Sequence, residues 1–185
     1  MTIPNVVTLL RIFLLPVLFY LIQGHHPVIA FYLLIGIWMT DLLDGFIART
    51  FNQGSKLGSY LDPIADKIVT ASLFIFLTIL SRIPLWLTVM VVVRDIFIFA
   101  GLIIILLPQK FPAASPSYLG KFTTFLQAIT LFVVMSEGVP TFNALLSPLF
   151  NTVIYITTVL TLLSFIQYIF RGIVMIRDRY EQHGK

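Results

Sequence analysis

The sequence predicts an all-α fold: an integral membrane bundle of six transmembrane helices with a short N-terminal interfacial helix. Three observations carry this. Hydrophobic residues fill 58% of the 185 positions and charged ones only 11%, with a mean hydropathy of +0.99, which is not the composition of a soluble domain. The apolar stretches are about 20 residues long, the length that crosses a hydrocarbon core as a helix. The breaks between them collect Gly, Pro, Ser and Asn, which end helices and turn the chain. The length suits a single domain over residues 1–185. Without any cysteine, disulfides and thiolate–metal chemistry are excluded.

The elements follow in order. Met1 to Gly24 opens on a polar start in which Pro4 suits a helix N-terminus and Thr8 and Arg11 lie one turn apart. It predicts the interfacial helix, leading into the apolar run Ile12 to Ile22. That run carries no small-residue cleavage site, so it reads as a retained first span. His25 and His26 occupy a short turn with no acidic companion and read as turn residues. The second span covers about Val28 to Phe51. Gly54, Ser55 and Gly58 break the chain before a third span, Ser59 to Leu80. Ser81 to Pro84 turns into a fourth, Leu85 to about Leu107, which carries Arg94 and Asp95 inside it. A proline-rich loop, Pro108 to Ser117, precedes a fifth span, Tyr118 to Met135, and a last helix runs from Thr141 past Arg171.

Six spans put both termini on one side. Arg49, Lys56, Lys110, Lys121, Arg171, Arg177, Arg179 and Lys185 fall at that side, and Arg82 alone among the turns opposite. By the positive-inside rule the termini face the cytoplasm. The start of the chain is not an Arg-rich transit-like leader, which points to a bacterial cytoplasmic membrane.

Against this background the stretch Thr40 to Lys67 stands out. Asp41, Asp44, Asp62 and Asp66 are half of the eight acidic residues in the chain. Carboxylates at a membrane are costly and mark polar, functional sites. On helices, Asp41 and Asp44 are i, i+3 neighbours and Asp62 and Asp66 i, i+4 neighbours, so each pair shares a face. Four carboxylates in one place repel one another unless cations lie between them. Arg49, Lys56 and Lys67 are too few to neutralise such a cluster. An all-oxygen donor set favours Mg²⁺ or Mn²⁺, and four carboxylates suggest two such ions bridging a phosphate-bearing substrate. Gly45 and Ala48 leave room for a ligand at the backbone, and Arg49 supplies a fork of donors for phosphate. These residues by themselves leave open a diphosphate-dependent prenyltransferase, and more remotely a cation transporter or channel.

The spacing Asp41-x₂-Asp44-Gly45-x₂-Ala48-Arg49-x₈-Gly58-x₃-Asp62-x₃-Asp66 resembles the complete signature of the CDP-alcohol phosphotransferase family. Ile3-Pro4-Asn5-x₂-Thr8-x₂-Arg11, Arg94-Asp95 and Gly120-Lys121-x₂-Thr124-x₂-Gln127 are similar to its branch that makes glycerol-based phospholipids. The resemblance implies a six-span bundle, usually a homodimer, that transfers a substituted phosphate from a CDP-linked donor to an alcohol and releases CMP. It implies that Asp41, Asp44, Asp62 and Asp66 hold two divalent ions. Asp66 would also take the proton of the attacking hydroxyl. Asn5, Thr8, Asp44, Gly45, Ala48, Arg49 and Gly58 would form the CDP pocket. Expected partners are CDP-diacylglycerol, a glycerol-based acceptor and membrane lipids, with no nucleic acid.

For the acceptor, Arg94 and Lys121 are the candidate cations for an anionic group, the alternative for Arg94 being that it pairs with a motif aspartate and only braces the bundle. Asp95 and Leu102 stand where members using glycerol 3-phosphate typically carry Glu and a further Arg. The runs Thr40 to Arg49 and Pro84 to Asp95 are closer to the cardiolipin-forming branch, with phosphatidylglycerol as acceptor. The phosphatidylglycerophosphate-forming branch is the alternative.

Overall fold

The computed structural model describes the backbone of residues 3–50, 58–106 and 117–183, and the side chains of residues 10–40, 65–101, 117–174 and 177. Among the described residues all regular structure is helical: α1 (Ile3–Gln23), α2 (Pro27–Thr50), α3 (Gly58–Ile79), α4 (Leu85–Leu106), α5 (Tyr118–Ser136), α6 (Pro140–Leu146), a 3₁₀ turn (Ser147–Leu149) and α7 (Phe150–His183). Two stretches, Tyr118–Ser136 and Pro140–Val174, are long and apolar enough to cross a bilayer, and Leu10–Gln23 and Pro27–Thr40 are shorter apolar helices. Large apolar side chains such as Phe13, Ile79 and Phe170 are exposed, while Arg94, Gln127 and Ser164 are buried alongside a core that includes Leu18, Phe31 and Leu77.

Two expectations change. The interfacial helix and the first span form one continuous helix, α1, with Pro16 inside it. Nothing between Thr8 and Ile12 breaks a helix, so the polar start simply becomes its first turns. The predicted last helix is divided at Ser147–Leu149. Pro148 has no N–H for the carbonyl of Ala144, and its ring crowds that carbonyl, so the chain tightens into a 3₁₀ turn before α7.

Helix ends use local chemistry the sequence did not advertise. His25 and Ser81 adopt φ of 60° and 57°, the left-handed position after a helix that glycine usually fills. The N–H of His26 reaches back to the carbonyl of Leu21, and that of Arg82 to Leu77, closing both ends as Schellman turns. Inside the helices, Thr78, Thr123, Thr124, Thr130 and Thr158 each donate to the carbonyl four residues earlier. A hydroxyl is thereby satisfied without water.

The chain divides into two compact units, Met1–Ile83 with Leu131–Phe150, and Pro84–Thr130 with Asn151–Lys185. In the first, α1 packs against both α2 and α3. Phe19 stacks on Phe76 at 4.3 Å between ring centroids, and Phe31 meets Phe132 at 5.0 Å and Phe142 at 5.4 Å, which ties α2 to the end of α5 and to α6. The second unit joins α4, the start of α5 and α7. Phe97 meets Phe165 edge-on at 5.3 Å, Trp86 stacks on Tyr155 at 6.2 Å, and polar contacts lie beside these rings.

Candidate active site

The polar stretch predicted to bind metal and nucleotide falls on three helices of the first unit. Asp41, Asp44, Gly45, Ala48 and Arg49 lie in the closing turns of α2; Gly58 opens α3, with Asp62 and Asp66 in its following turns; Asn5 and Thr8 lie in the opening turns of α1. The aspartate pairs are therefore on helical backbone, at the i, i+3 and i, i+4 spacing that places each pair on one face. Of these residues only Asp66 has a described side chain, so the meeting of the four carboxylates lies outside the described residues. Their chemistry fits Mg²⁺ or Mn²⁺: all-oxygen, anionic, and on helices that α1 packs against.

Asp66 has a partner on α1. The Nη1 of Arg11 donates to Asp66 Oδ1, with the arginine side chain buried and the aspartate half-exposed. Sequence reasoning had set Arg11 beside Thr8 and had not seen this pair. Its signal was an arginine in an apolar run, since a guanidinium in such surroundings requires an acid. The pair joins α1 to α3 and fixes one oxygen of the carboxylate expected to act as base.

The second cluster lies wholly in the other unit. Arg94, only 2% exposed, is surrounded by partners. Its Nη1 donates to Asp95 Oδ1 at 2.6 Å, its Nη2 to Ser164 Oγ at 3.1 Å and to the carbonyl of Gly120 at 3.3 Å, and its Nε to Ser164 Oγ at 3.4 Å. The guanidinium carbon lies 5.6 Å from the centre of the Tyr168 ring, within cation–π range. The first turn of α5 is tied by the same set. Ser117 Oγ accepts from the Gly120 N–H at 2.9 Å, an N-cap bond, and Ser117 O accepts from the Lys121 N–H at 3.1 Å. Lys121 itself is exposed.

A polar seam continues along α5 and α7. Thr123 Oγ reaches the carbonyl of Leu160 at 3.2 Å, and Thr130 and Thr157 share a hydroxyl–hydroxyl bond at 2.8 Å. Gln127 and Thr161 lie in this seam fully buried. Ser164, Tyr168 and Ser117 were not singled out from the sequence. The polar positions 157, 161, 164 and 168 recur at helical spacing in an otherwise apolar helix, and that stripe was the available signal.

A family model described as CDP-alcohol phosphatidyltransferase matches residues 1–175. The chain is 37% identical to a probable cardiolipin synthase (CMP-forming) of Drosophila melanogaster, over 91% of this chain and 57% of that protein. It is 39% identical to the cardiolipin synthase (CMP-forming) of Homo sapiens, over 77% of this chain and 52% of that protein. It is 33% identical to the CDP-diacylglycerol–glycerol-3-phosphate 3-phosphatidyltransferase of Aquifex aeolicus, over 95% of this chain and 98% of that protein. The chain thus spans about half the length of the animal relatives and nearly all of the Aquifex one. With the aspartate signature on α2 and α3 and a match that runs through α7, the chain belongs to the CDP-alcohol phosphatidyltransferase family.

Proposed function

We propose that this chain is an integral membrane enzyme that transfers a phosphatidyl group from CDP-diacylglycerol to a glycerol-type alcohol, releasing CMP, in anionic phospholipid synthesis. The observation that carries the proposal is the family match over residues 1–175 together with Asp41, Asp44, Asp62 and Asp66 at their helical spacing on α2 and α3. The proposal includes one domain over residues 1–185, six spans, a homodimer, and termini and active site at the cytoplasmic face. That orientation is supported by the distribution of Lys and Arg. The proposal also takes the membrane to be a bacterial cytoplasmic one.

In this reading the four aspartates would hold two Mg²⁺ or Mn²⁺ ions, which would supply positive charge against the diphosphate. Gly45, Ala48 and Gly58 leave space for the nucleotide, Arg49 forks onto its phosphate, and Asn5 and Thr8 close the pocket from α1. Asp66, with Oδ1 held by Arg11, accepts the proton of the acceptor hydroxyl. The acceptor oxygen then forms its bond to the phosphatidyl phosphorus. The bond from that phosphorus to the bridging oxygen breaks, and its electron pair leaves on CMP.

Lys121 and Arg94 mark the acceptor side. We favour phosphatidylglycerol as acceptor, making the product cardiolipin, in line with the names of the Drosophila and human relatives. Glycerol 3-phosphate is the second reading, favoured by the relative whose length this chain matches.

The test uses purified protein with CDP-diacylglycerol and Mg²⁺, offering phosphatidylglycerol and glycerol 3-phosphate separately. CMP release is expected with one of them, lost on chelation and restored by Mg²⁺ or Mn²⁺. Asp66→Asn is expected to lower turnover by at least about 100-fold, the lower end for a lost general base. Undiminished turnover in that folded variant would overturn the proposal.

A further inference from the structure

We infer that Arg94 serves the acceptor indirectly, as a positioning residue: with Asp95 it clamps the first turn of α5 to α7, so that Lys121 meets the acceptor phosphate from a fixed base. This rests on the acceptor reading of Lys121 above.

The geometry separates this role from direct binding. Every nitrogen of the Arg94 guanidinium donates to a protein group: Asp95, Ser164 or the carbonyl of Gly120. For an acceptor phosphate to reach it, that phosphate would have to displace the carboxylate at 2.6 Å from a site where Arg94 and Asp95 are 2% and 5% exposed. Exchanging one buried anion for another gives no electrostatic gain and takes from Asp95 its ion pair with Arg94, a costly loss for a buried charge. Lys121 requires no such exchange, since it is exposed one residue beyond the carbonyl that Arg94 holds.

The clamp is also tightly built. A Cβ on Gly120 would lie 2.7 Å from Tyr168 Oη, 2.9 Å from Ser117 Oγ and 3.3 Å from Arg94 Nη2. Gly120 is therefore a point of close approach for Arg94 of α4, Tyr168 of α7 and Ser117 at the start of α5. The Arg94–Asp95 ion pair leaves no net charge in the apolar span. Adjacent residues on a helix ordinarily diverge. Here Arg94 and Asp95 are drawn together because the arginine lies across to Ser164 and Gly120.

The experiment uses the full chain in proteoliposomes and has two arms. Because the protein has no cysteine, Tyr118→Cys, at a position 91% exposed in the first turn of α5, gives a single site for a nitroxide spin label. Ser164→Ala removes the α7 end of the clamp, and Asp95→Asn removes its counter-charge. Both are expected to enlarge the mobile component of the label spectrum. In the kinetic arm each is expected to raise the KM for the acceptor by about 3- to 10-fold, part of what a hydrogen bond to a charged group is worth. The KM for CDP-diacylglycerol should stay within about twofold, because the nucleotide residues lie on other helices. Ser164→Ala is the milder change and keeps the test open if Asp95→Asn fails to fold.

A direct acceptor contact makes the opposite prediction for Asp95→Asn: Arg94 would be released toward the phosphate, the acceptor KM would fall, and the label would not loosen. Either a lower KM or unchanged label mobility in both variants overturns the clamp. If the parent protein released no CMP with either acceptor, the acceptor reading would fall by itself. The label arm would then still decide whether Arg94 holds α5.

Discussion

Glu137, in the turn after α5, is a residue whose environment sets its titration. Burial raises its pKa above the ordinary carboxyl value, and the charge of Arg82 offsets this in part. Desolvation disfavours the ionised form. Because the folded-state value exceeds the unfolded one, the native state binds more proton between the two. Stability is therefore undiminished below the unfolded value and falls as pH rises through the folded one. Glu137→Gln is expected to flatten this part of the pH profile and to raise the melting temperature at neutral pH. Thermal unfolding of both proteins from pH 4 to 8 checks it. The next residue makes a steric prediction. A Cβ on Gly138 would lie 2.2 Å from Cβ of Pro27, whereas one at Gly36 meets nothing within 4 Å. A proline ring cannot swing aside, so Gly138→Ala is expected to cost about 1–3 kcal/mol. Gly36→Ala should be neutral or stabilising by up to about 1 kcal/mol. Equal melting temperatures for the two alanine variants would contradict this.

Among helices, contact in the second unit includes a line of hydroxyls beside its apolar packing. The Thr130–Thr157 bond at 2.8 Å and the Thr123 bond to the carbonyl of Leu160 join α5 to α7 along one seam. In a membrane interior, packing and interhelical hydrogen bonds replace the hydrophobic drive, and each such bond is worth about 0.6 kcal/mol, rarely above about 1.7. A double-mutant cycle of Thr130→Val and Thr157→Val is expected to return a coupling in that range. A coupling near zero would mean that the two hydroxyls do not sense each other. The first unit is organised differently, by aromatic contacts around Phe31 and by the Arg11–Asp66 pair between α1 and α3. This division was only partly legible beforehand. Helix positions followed from apolar run lengths and Gly or Pro breaks, within a residue or two. The 3₁₀ turn at Ser147–Leu149 was not anticipated, because Pro148 lies inside an unbroken apolar stretch whose pattern reads as one helix.

For the whole molecule, the aspartate cluster predicts coupling between metal and stability. In the proposed two-ion site four carboxylates would repel one another, so ions that bind only the folded chain would stabilise it by mass action, about 2.7 kcal/mol at a hundredfold excess over Kd. Adding Mg²⁺ or Mn²⁺ is expected to raise the melting temperature of the purified protein, and Asp41→Asn to reduce that rise. An unchanged melting temperature with metal would count against the two-ion site. The expectation about chemistry came from the sequence alone. The spacing of four acids in an apolar chain, with Gly45, Ala48 and Arg49 among them, points to a hard-cation phosphate site, since helix geometry converts spacing into shared faces without tertiary information. The membrane setting was equally local, because hydropathy is additive along the chain. What only the tertiary structure decided is which charges meet. Arg11 finds Asp66 across 55 positions, and Arg94 is placed against Asp95, Ser164 on α7 and the carbonyl of Gly120. A cation in an apolar helix announces that it needs a partner. Which partner it finds depends on how the helices pack, and one residue of rotation would present a different face.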